Sequence, residues 1–241
     1  YNLLIRKTLE AVYEHYGGNR SHPQFEQFEV YLKTLWYNNG IHHHFSKEKN
    51  IPEFSSDYLA HLIWETGLYN LPHLFNSLEE AFEKLQPLLF DGSVAPKTVE
   101  QDSTKDMIAR SANNFYEGVT QQESEAFYQK KKEEDEKLSW GLNSKLVKED
   151  GQLREKTWRE GGMYGEAISR IVYWLDKARH YAETDQQAGW LEALVDYYRS
   201  GDLQKFDDYN IRWVQDTQSA VDLINGFIET YEDPLGLKGT W

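Results

Sequence analysis

Residues 222–241 read DLINGFIETYEDPLGLKGTW, and the organisation of the chain is best understood outward from this stretch. An apolar run leads to Glu229 and Tyr231, and the chain then breaks at an Asp-Pro pair into a loop with two glycines. In a strand, side chains alternate between the two faces, so Glu229 and Tyr231 would lie on one face. The pattern therefore predicts a carboxylate and a phenol side by side at the start of a turn, where functional sites are often built.

The loop after this run contains Asp233, Pro234 and Gly236. Proline fixes φ, glycine tolerates positive φ, and an aspartate side chain can bond to nearby backbone amides. We expect these three residues to shape the loop and not to take part in chemistry.

A β-hairpin is predicted upstream, because residues 142–147 and 152–158 alternate around the pair Asp150-Gly151. An Asp-Gly pair between alternating segments is a strong local signal for a two-residue hairpin turn. Segments 211–214 and 221–231 also read as extended, with a turn between them.

The remaining segments show the apolar period and the end signals of helices. Predicted helices cover residues 2–16, 23–38, 52–66, 77–90, 98–117, 121–138, 165–182, 184–200 and 203–209. The fold class is therefore α+β and predominantly α-helical. Its small antiparallel β portion, the hairpin plus C-terminal strands, is expected to belong to an incomplete β-barrel. A turn-rich break divides a helical block, residues 1–95, from a mixed helical and β part, residues 96–241, of one continuous lobe.

Composition excludes several classes of function. The 40 acidic residues exceed the 26 basic ones, so phosphate-backbone binding is disfavoured and no nucleic-acid partner is expected. The absence of cysteine excludes disulfides, thiolate zinc sites and cysteine nucleophiles. No apolar run reaches the roughly 18 to 20 residues that a membrane span needs, and no signal peptide begins the sequence, so we expect no membrane partner and a cytoplasmic location.

Histidines offer little evidence for a metal site. His42, His43 and His44 are consecutive, and neighbours on a regular element diverge too far to bind one ion together. A hydrogen-bonded loop or histidines that line a cleft explain the triplet better, although its role stays open. His61 and Glu65, four residues apart on a helix, fit an ordinary surface pair better than metal ligands. The sequence contains no H-E-x-x-H, G-x-S-x-G or phosphate-loop motif, so on its own residues the chain is not a complete enzyme.

The string GFIETYEDPLG, residues 226–236, resembles the signature G-F-I-E-[ST]-Y-x-D-P-x-G of the dipeptidyl peptidase III family of zinc exopeptidases. The strings NGIHHHFS at residues 39–46 and YNIRWV at residues 209–214 are similar to those of its bacterial members. The resemblance covers most of the chain, loosely over the first hundred residues and strongly from about residue 140 onward.

The resemblance implies a role for each residue of the pair. Glu229 falls on the family glutamate that binds the free amino terminus of the peptide, and Tyr231 on the tyrosine that stabilises the transition state. In the family, zinc is bound by H-E-x-x-G-H-type and E-E-C-R-A-E-type helices downstream of this signature, in a second lobe. The resemblance therefore implies that this chain is a fragment of the substrate-binding lobe. The full-length zinc enzyme would release dipeptides from the amino terminus of oligopeptides. The chain alone would bind no zinc and be inactive, and its partners would be the peptide and the missing lobe.

Two other hypotheses stay open. The chain contains eight Trp and sixteen Tyr, which could form a stacking surface of a non-catalytic, helical peptide- or glycan-binding module, although core packing between helices also explains them. The second hypothesis is a family member that retains the fold as a scaffold without zinc ligands. The alternative for Glu229 and Tyr231 themselves is a structural role, as a solvent-facing glutamate and a buried tyrosine at the end of a strand.

Overall fold

The computed structural model describes residues 1–240, and these form two compact units. Unit 1 consists of residues 1–100 and 110–112. Unit 2 consists of residues 101–109 and the described chain after residue 112. The boundary at residue 95, as a division between functional parts, stays a prediction.

Unit 1 is a helical body whose helix starts follow capping chemistry. Its helices are α1 (Asn2–His15), α2 (Pro23–Asn38), α3 (Ser56–Thr66) and α4 (Leu78–Phe90), with a 3-10 helix at Leu68–Asn70. The Ser55 and Ser77 side chains accept the amides of Tyr58 and Glu80, which satisfies free donors at the starts of α3 and α4. The core between the helices is apolar and includes the fully buried Ile5, Leu9, Phe28, Leu32, Leu59, Leu62 and Leu85.

Unit 2 carries the site and combines helices with a small sheet. Its longer helices are α6 (Gln121–Glu134), α7 (Gly165–Arg179), α8 (Asp185–Ser200) and α9 (Leu203–Gln215), and the short α5 (Met107–Arg110) lies at the unit boundary. The main core of the unit lies among α7, α8 and α9 and includes Ile168, Val172, Trp190, Leu194, Val195, Tyr198 and Tyr209.

The sheet of unit 2 has the strand order β1-β2-β3. Strands β2 (Ser144–Glu149) and β3 (Gln152–Thr157) form an antiparallel hairpin in which Ser144 pairs with Thr157. Its turn residues, Asp150 and Gly151, have φ of 50° and 75°, as a two-residue primed turn requires. The hairpin prediction is therefore confirmed. Strand β1 (Tyr116–Glu117) pairs parallel to β2, so the sheet is mixed.

Three local predictions are wrong. Residues 211–214 belong to α9, because Asp202 caps the helix start and apolar residues recur at helical spacing through Trp213. Residues 221–231 do not form a strand, and only Glu229 makes a bridge, to Thr240. Within 98–117, only α5 is helical. The Asp102 carboxylate accepts the Thr104 amide in a local turn, a bond that competes with helix.

The fold class, α+β and mostly helical, is confirmed. The described residues form an open three-stranded sheet, so membership in an incomplete barrel stays a prediction. None of the helices described in residues 1–240 combines the length and the apolarity needed to cross a bilayer.

Candidate functional site

The candidate site lies on an irregular segment that follows α9, and side chains from α8 and the α7–α8 connection hold the segment's first part. The Glu183 carboxylate accepts the backbone amides of Ala220 and Val221, both at 2.9 Å. The Gln187 side chain donates to the Val221 carbonyl at 2.8 Å. Because these bonds satisfy the backbone, the segment needs no strand partner here.

Phe227 anchors the middle of the segment in the core of unit 2. Its ring packs against Trp158 and Phe206, with ring centroids 5.9 and 5.4 Å away. Beside it, Ile224 and Ile228 are 92% and 81% exposed, so the apolar run that looked like a half-buried strand has only part of its side chains inside. Burial of Phe227 therefore fixes where the chain enters the site.

Glu229 is held by the backbone of residues 238–240. The Thr240 amide donates to the Glu229 carbonyl at 2.8 Å, and the Ile228 amide donates to the Thr240 carbonyl at 2.9 Å. The Gly239 amide donates to the Leu142 carbonyl at 2.9 Å, next to the start of β2. The backbone of Glu229 is thus tied through Thr240 and Gly239 to the hairpin region of unit 2.

The structure brings the Glu229 carboxylate and the Tyr231 hydroxyl together. The Glu229 carboxylate interacts with the phenol, and this interaction raises the pKa of Tyr231 above its ordinary value. Burial and the charges of Glu229 and Glu232 act in the same direction. Tyr231 is 59% exposed and Glu229 is half-buried, so both can reach a ligand. The two side chains meet although the segment is not a strand.

Asp233 organises the turn that follows. One of its carboxylate oxygens accepts the amides of Leu237 and Lys238, at 2.8 and 2.9 Å, and the Tyr116 hydroxyl at 3.0 Å. The Gly236 amide donates to the Asp233 carbonyl at 3.0 Å, and Gly236 has φ of +65°. Pro234 lies half-buried in the same turn.

Lys238 is the residue that sequence reasoning missed. It is fully buried, and its ammonium lies against the hydroxyl of Tyr128 and the carbonyl of Ser144. A lysine next to Gly239 in a glycine-containing loop is expected to be exposed, so no local signal indicated its burial.

The histidine triplet forms a hydrogen-bonded loop in unit 1. His42 is buried, and its Nε2 donates to the Ala95 carbonyl at 2.9 Å, while burial lowers the pKa of His42. His43 Nδ1 accepts the amides of Phe45 and Ser46. His61 lies 3.2 Å from the Tyr16 hydroxyl. Among residues 1–240, no group of three His, Asp or Glu side chains is arranged to hold a metal ion.

Comparisons with known proteins find similarity to one family of peptidases. Residues 132–241 match the model of "Peptidase family M49". The chain is 32% identical over 80 residues to dipeptidyl peptidase 3 of Dictyostelium discoideum, which is 33% of this chain and 12% of that protein. It is 23% identical over 240 residues to dipeptidyl peptidase 3 of Mus musculus, covering 90% of this chain and 32% of that protein. It also aligns with the structure of DPP III from Caldithrix abyssi at 15% identity and a TM-score of 0.49, covering 99% of this chain and 35% of that one. The chain thus spans about a third or less of the length of these relatives.

Proposed function

Because this chain belongs to the dipeptidyl peptidase III family, peptidase family M49, we propose that it carries the substrate-binding residues of a peptidase that removes dipeptides from the amino terminus of oligopeptides. The observation that supports this most is the contact between the Glu229 carboxylate and the Tyr231 hydroxyl on an accessible surface. The bacterial type of the family and a cytoplasmic location stay predictions.

Glu229 would bind the ammonium group of the peptide. An exopeptidase that measures from the amino end must recognise the free amine, and a fixed carboxylate does this through a charge-assisted hydrogen bond. The backbone bond between the Thr240 amide and the Glu229 carbonyl fixes the backbone that carries this carboxylate before the peptide arrives. This pre-organisation lowers the entropy cost of binding.

Tyr231 would donate its hydroxyl to the carbonyl oxygen of the bond that is cleaved. A donor that meets negative charge as it develops stabilises the transition state more than the substrate, by about 3 kcal/mol for one such group. The raised pKa of Tyr231 keeps the phenol protonated and able to donate. Asp233, Pro234 and Gly236 would shape the turn after the pair without contacting the peptide.

Zinc does not fit the residues described here. In residues 1–240 no cluster of three suitable side chains exists, and the whole sequence lacks cysteine. In our proposal the zinc ligands and the general base lie on polypeptide outside residues 1–241, in the second lobe that binds the same peptide.

The direct test is the affinity of this chain for a tetrapeptide with a free amino terminus and for its N-acetylated form, measured by calorimetry. We expect a preference for the free amine, and Glu229→Gln should reduce it about tenfold or more, because a hydrogen bond to a charged group contributes about 1.5–3 kcal/mol. Glu232→Gln, with the same loss of charge three residues away, should keep the preference. Equal affinity for the two peptides in the wild-type chain would overturn the role of Glu229.

A second test uses the coding sequence and the complete polypeptide. The reading frame should continue into an H-E-x-x-x-H or H-E-x-x-G-H string that supplies the zinc ligands. In that complete enzyme, Tyr231→Phe should lower kcat about 100-fold or more with little change in KM. A continuation without zinc ligands would favour the scaffold hypothesis.

The binding-module alternative has one observation in its favour. On α7, Tyr173 and Trp174 are 52% and 66% exposed, and the Lys177 ammonium lies 4.8 and 5.9 Å from their ring centroids. If the chain were such a module, Trp174→Ala would abolish ligand binding and Glu229→Gln would leave it unchanged.

A further inference from the structure

The ammonium of Lys238 occupies a closed polar site inside unit 2. The side chain is fully buried, and its Nζ lies 2.6 Å from the Tyr128 hydroxyl, 2.9 Å from the Ser144 carbonyl and 3.4 Å from the Gly141 carbonyl. These partners come from α6 and from the residues at the start of β2. A lysine is almost never fully buried unless its charge is paired, so this burial calls for an explanation.

The surroundings of Lys238 consist of hydrogen-bond acceptors. The Tyr128 hydroxyl donates its own proton to Glu155 Oε1 at 2.8 Å, so its oxygen is free to accept from Lys238. The two carbonyl oxygens can only accept. The Ser144 hydroxyl, 3.4 Å from Nζ, donates its own proton to Glu155 and can accept as well. These acceptors can take all three N–H donors of an ammonium, whereas a neutral amine has one donor fewer and a lone pair. The rings of Tyr128 and Tyr116, with centroids 4.8 and 5.3 Å from Nζ, add cation–π attraction.

Lys238 is also the first residue of the stretch that supports Glu229. Gly239 and Thr240 follow it directly, and they bond to the Leu142 carbonyl and to the Glu229 carbonyl. On its other side, the Lys238 amide donates to Asp233, which closes the turn. A single buried side chain therefore fixes residues 238–240 against β2, and residues 238–240 fix the backbone of Glu229.

We propose that Lys238 is a positioning residue for the pair of Glu229 and Tyr231: its buried ammonium anchors residues 238–240 inside unit 2, and the anchored residues hold the backbone that carries the pair. What the pair recognises rests on the proposed function. The anchoring itself does not, because it follows from the contacts of Lys238.

Four ionisable groups face the Lys238 ammonium. Glu155 lies on β3, Asp233 on the turn, Tyr116 on β1 and Tyr128 on α6. Burial lowers the pKa of Lys238 to about 8, and the charges of Glu155 and Asp233 oppose this shift. At pH 7 the group is therefore mainly an ammonium, which is the form that its acceptors suit.

The test compares Lys238→Met with Lys148→Met in the full 241-residue chain. Lys148 pairs with Glu123 at the surface of the same unit, so it is a matched lysine without a buried site. We expect Lys238→Met to reduce the protection of the Ile228 and Thr240 amides against hydrogen exchange at least tenfold at pH 7. The pKa of Tyr231 should also fall toward its ordinary value as the contact with Glu229 loosens. Lys148→Met should change neither. Protection within twofold of the wild type in a folded Lys238→Met chain would overturn the proposal.

Two further measurements test the positioning role of Lys238 if Lys238→Met does not fold. The double variant Lys238→Met with Glu155→Gln also removes the charge of the half-buried Glu155 carboxylate, which attracts the Lys238 ammonium in the wild type, and it should fold, yet it should still lose protection at Ile228 and Thr240. In the wild type, NMR of the Lys238 Cε carbon reports its titration, and the Thr240 and Glu229 resonances should shift over the same pH range. Resonances that stay constant while Lys238 titrates would contradict the proposal without any variant.

Peptide-binding measurements distinguish a failure of the positioning role of Lys238 from a failure of the proposed function of Glu229. If the wild-type chain prefers free amino termini, Lys238→Met should reduce that preference at least threefold, and the affinity for the N-acetylated peptide should stay the same. If the wild-type chain shows no preference, the proposed function of Glu229 fails. The exchange and titration measurements still decide whether Lys238 holds the pair in place.

Discussion

The ring of Phe227 packs directly over Gly239, so closely that a Cβ on the glycine would lie 2.6 Å from the Phe227 Cδ1 atom and 2.9 Å from Leu142 Cδ1. Phe227 enters the core just before Glu229, and Gly239 lies just before Thr240, the partner of Glu229. This contact therefore sets the distance between the segment that carries Glu229 and the segment that carries Thr240.

Gly239→Ala should destabilise the protein by about 1–3 kcal/mol, because the added methyl group overpacks a filled site. Gly189, within α8, has no other group within 4 Å of an added Cβ, so Gly189→Ala is a suitable control. The control should stabilise the protein by about 0.5–1 kcal/mol, since alanine favours a helix. Urea unfolding of both variants and of the wild type measures these changes in the free energy of unfolding. If Gly239→Ala were as stable as Gly189→Ala, Phe227 would be able to move aside for the added methyl group.

The ionisation of Tyr231 reports its contact with Glu229. The pKa of Tyr231 lies above its ordinary value because the adjacent Glu229 carboxylate favours the protonated phenol and adds negative charge. Glu229→Gln should therefore lower the pKa of Tyr231, as followed by NMR of the labelled tyrosine ring. Glu232→Gln should lower it less, because Glu232 acts only through its charge. An unchanged titration in Glu229→Gln would mean that the pair is separated in solution.

Asp233→Asn should destabilise the turn. The oxygens of Asp233 accept from the amides of Leu235, Leu237 and Lys238 and from the Tyr116 hydroxyl, so an NH₂ group in either position faces a donor. The expected loss is about 1–3 kcal/mol, the cost of leaving a buried polar group unsatisfied. Asp208 is exposed, and Asp208→Asn should leave the stability within about 0.5 kcal/mol of the wild type. Thermal unfolding compares the two, and similar Tm values would contradict this account of the turn.

Lys238 should make the protein more stable as the pH rises above 8. Its pKa is about 8 in the folded chain and 10.5 as the reference value, so between these values the unfolded chain binds more protons than the folded one. The free energy of unfolding then increases with pH, by about 1.4 kcal/mol per unit. From pH 8 to 9.5 the gain from this group is about 2 kcal/mol, and below pH 7 the contribution no longer changes. In the other direction, the raised pKa of buried tyrosines such as Tyr31 and Tyr197 lowers stability above pH 10.

Urea unfolding at half-unit steps from pH 7 to 9.5 measures this gain. In the double variant Lys238→Met with Glu155→Gln, the rise should be absent. A variant with the same rise as the wild type would assign it to another group.

The sequence predicted those elements whose signals are local. Pro23 marked the start of α2, the Ser77 cap marked α4, and Asp150-Gly151 marked the hairpin turn. In each case neighbouring residues decide the structure, so the pattern is visible without the fold. The motif also named Glu229 and Tyr231, and the structure places their side chains close together, although the strand on which this pairing was predicted is absent.

The prediction of strands at 211–214 and 221–231 was wrong because contacts with residues outside these segments decide their conformation. In α9, the helical spacing of Phe206, Tyr209 and Trp213 outweighs the strand preference of the exposed Ile211 and Val214. After α9, hydrogen bonds from Glu183 and Gln187 decide the path of the chain, and no sequence pattern within the segment predicts these bonds.

The sequence by itself thus determined the mostly helical class and the hairpin, and it showed the resemblance to the dipeptidyl peptidase III family that selects the candidate pair, because apolar spacing, turn residues and a short motif express them locally. Only the tertiary structure decided how the pair is held. Lys238 meets Tyr128 across 110 positions of sequence, and Asp233 meets Tyr116 across 117. Contacts of this kind form only when distant segments pack and exclude water, since a lysine or an aspartate gains a buried role from its partners and not from its neighbours in the chain.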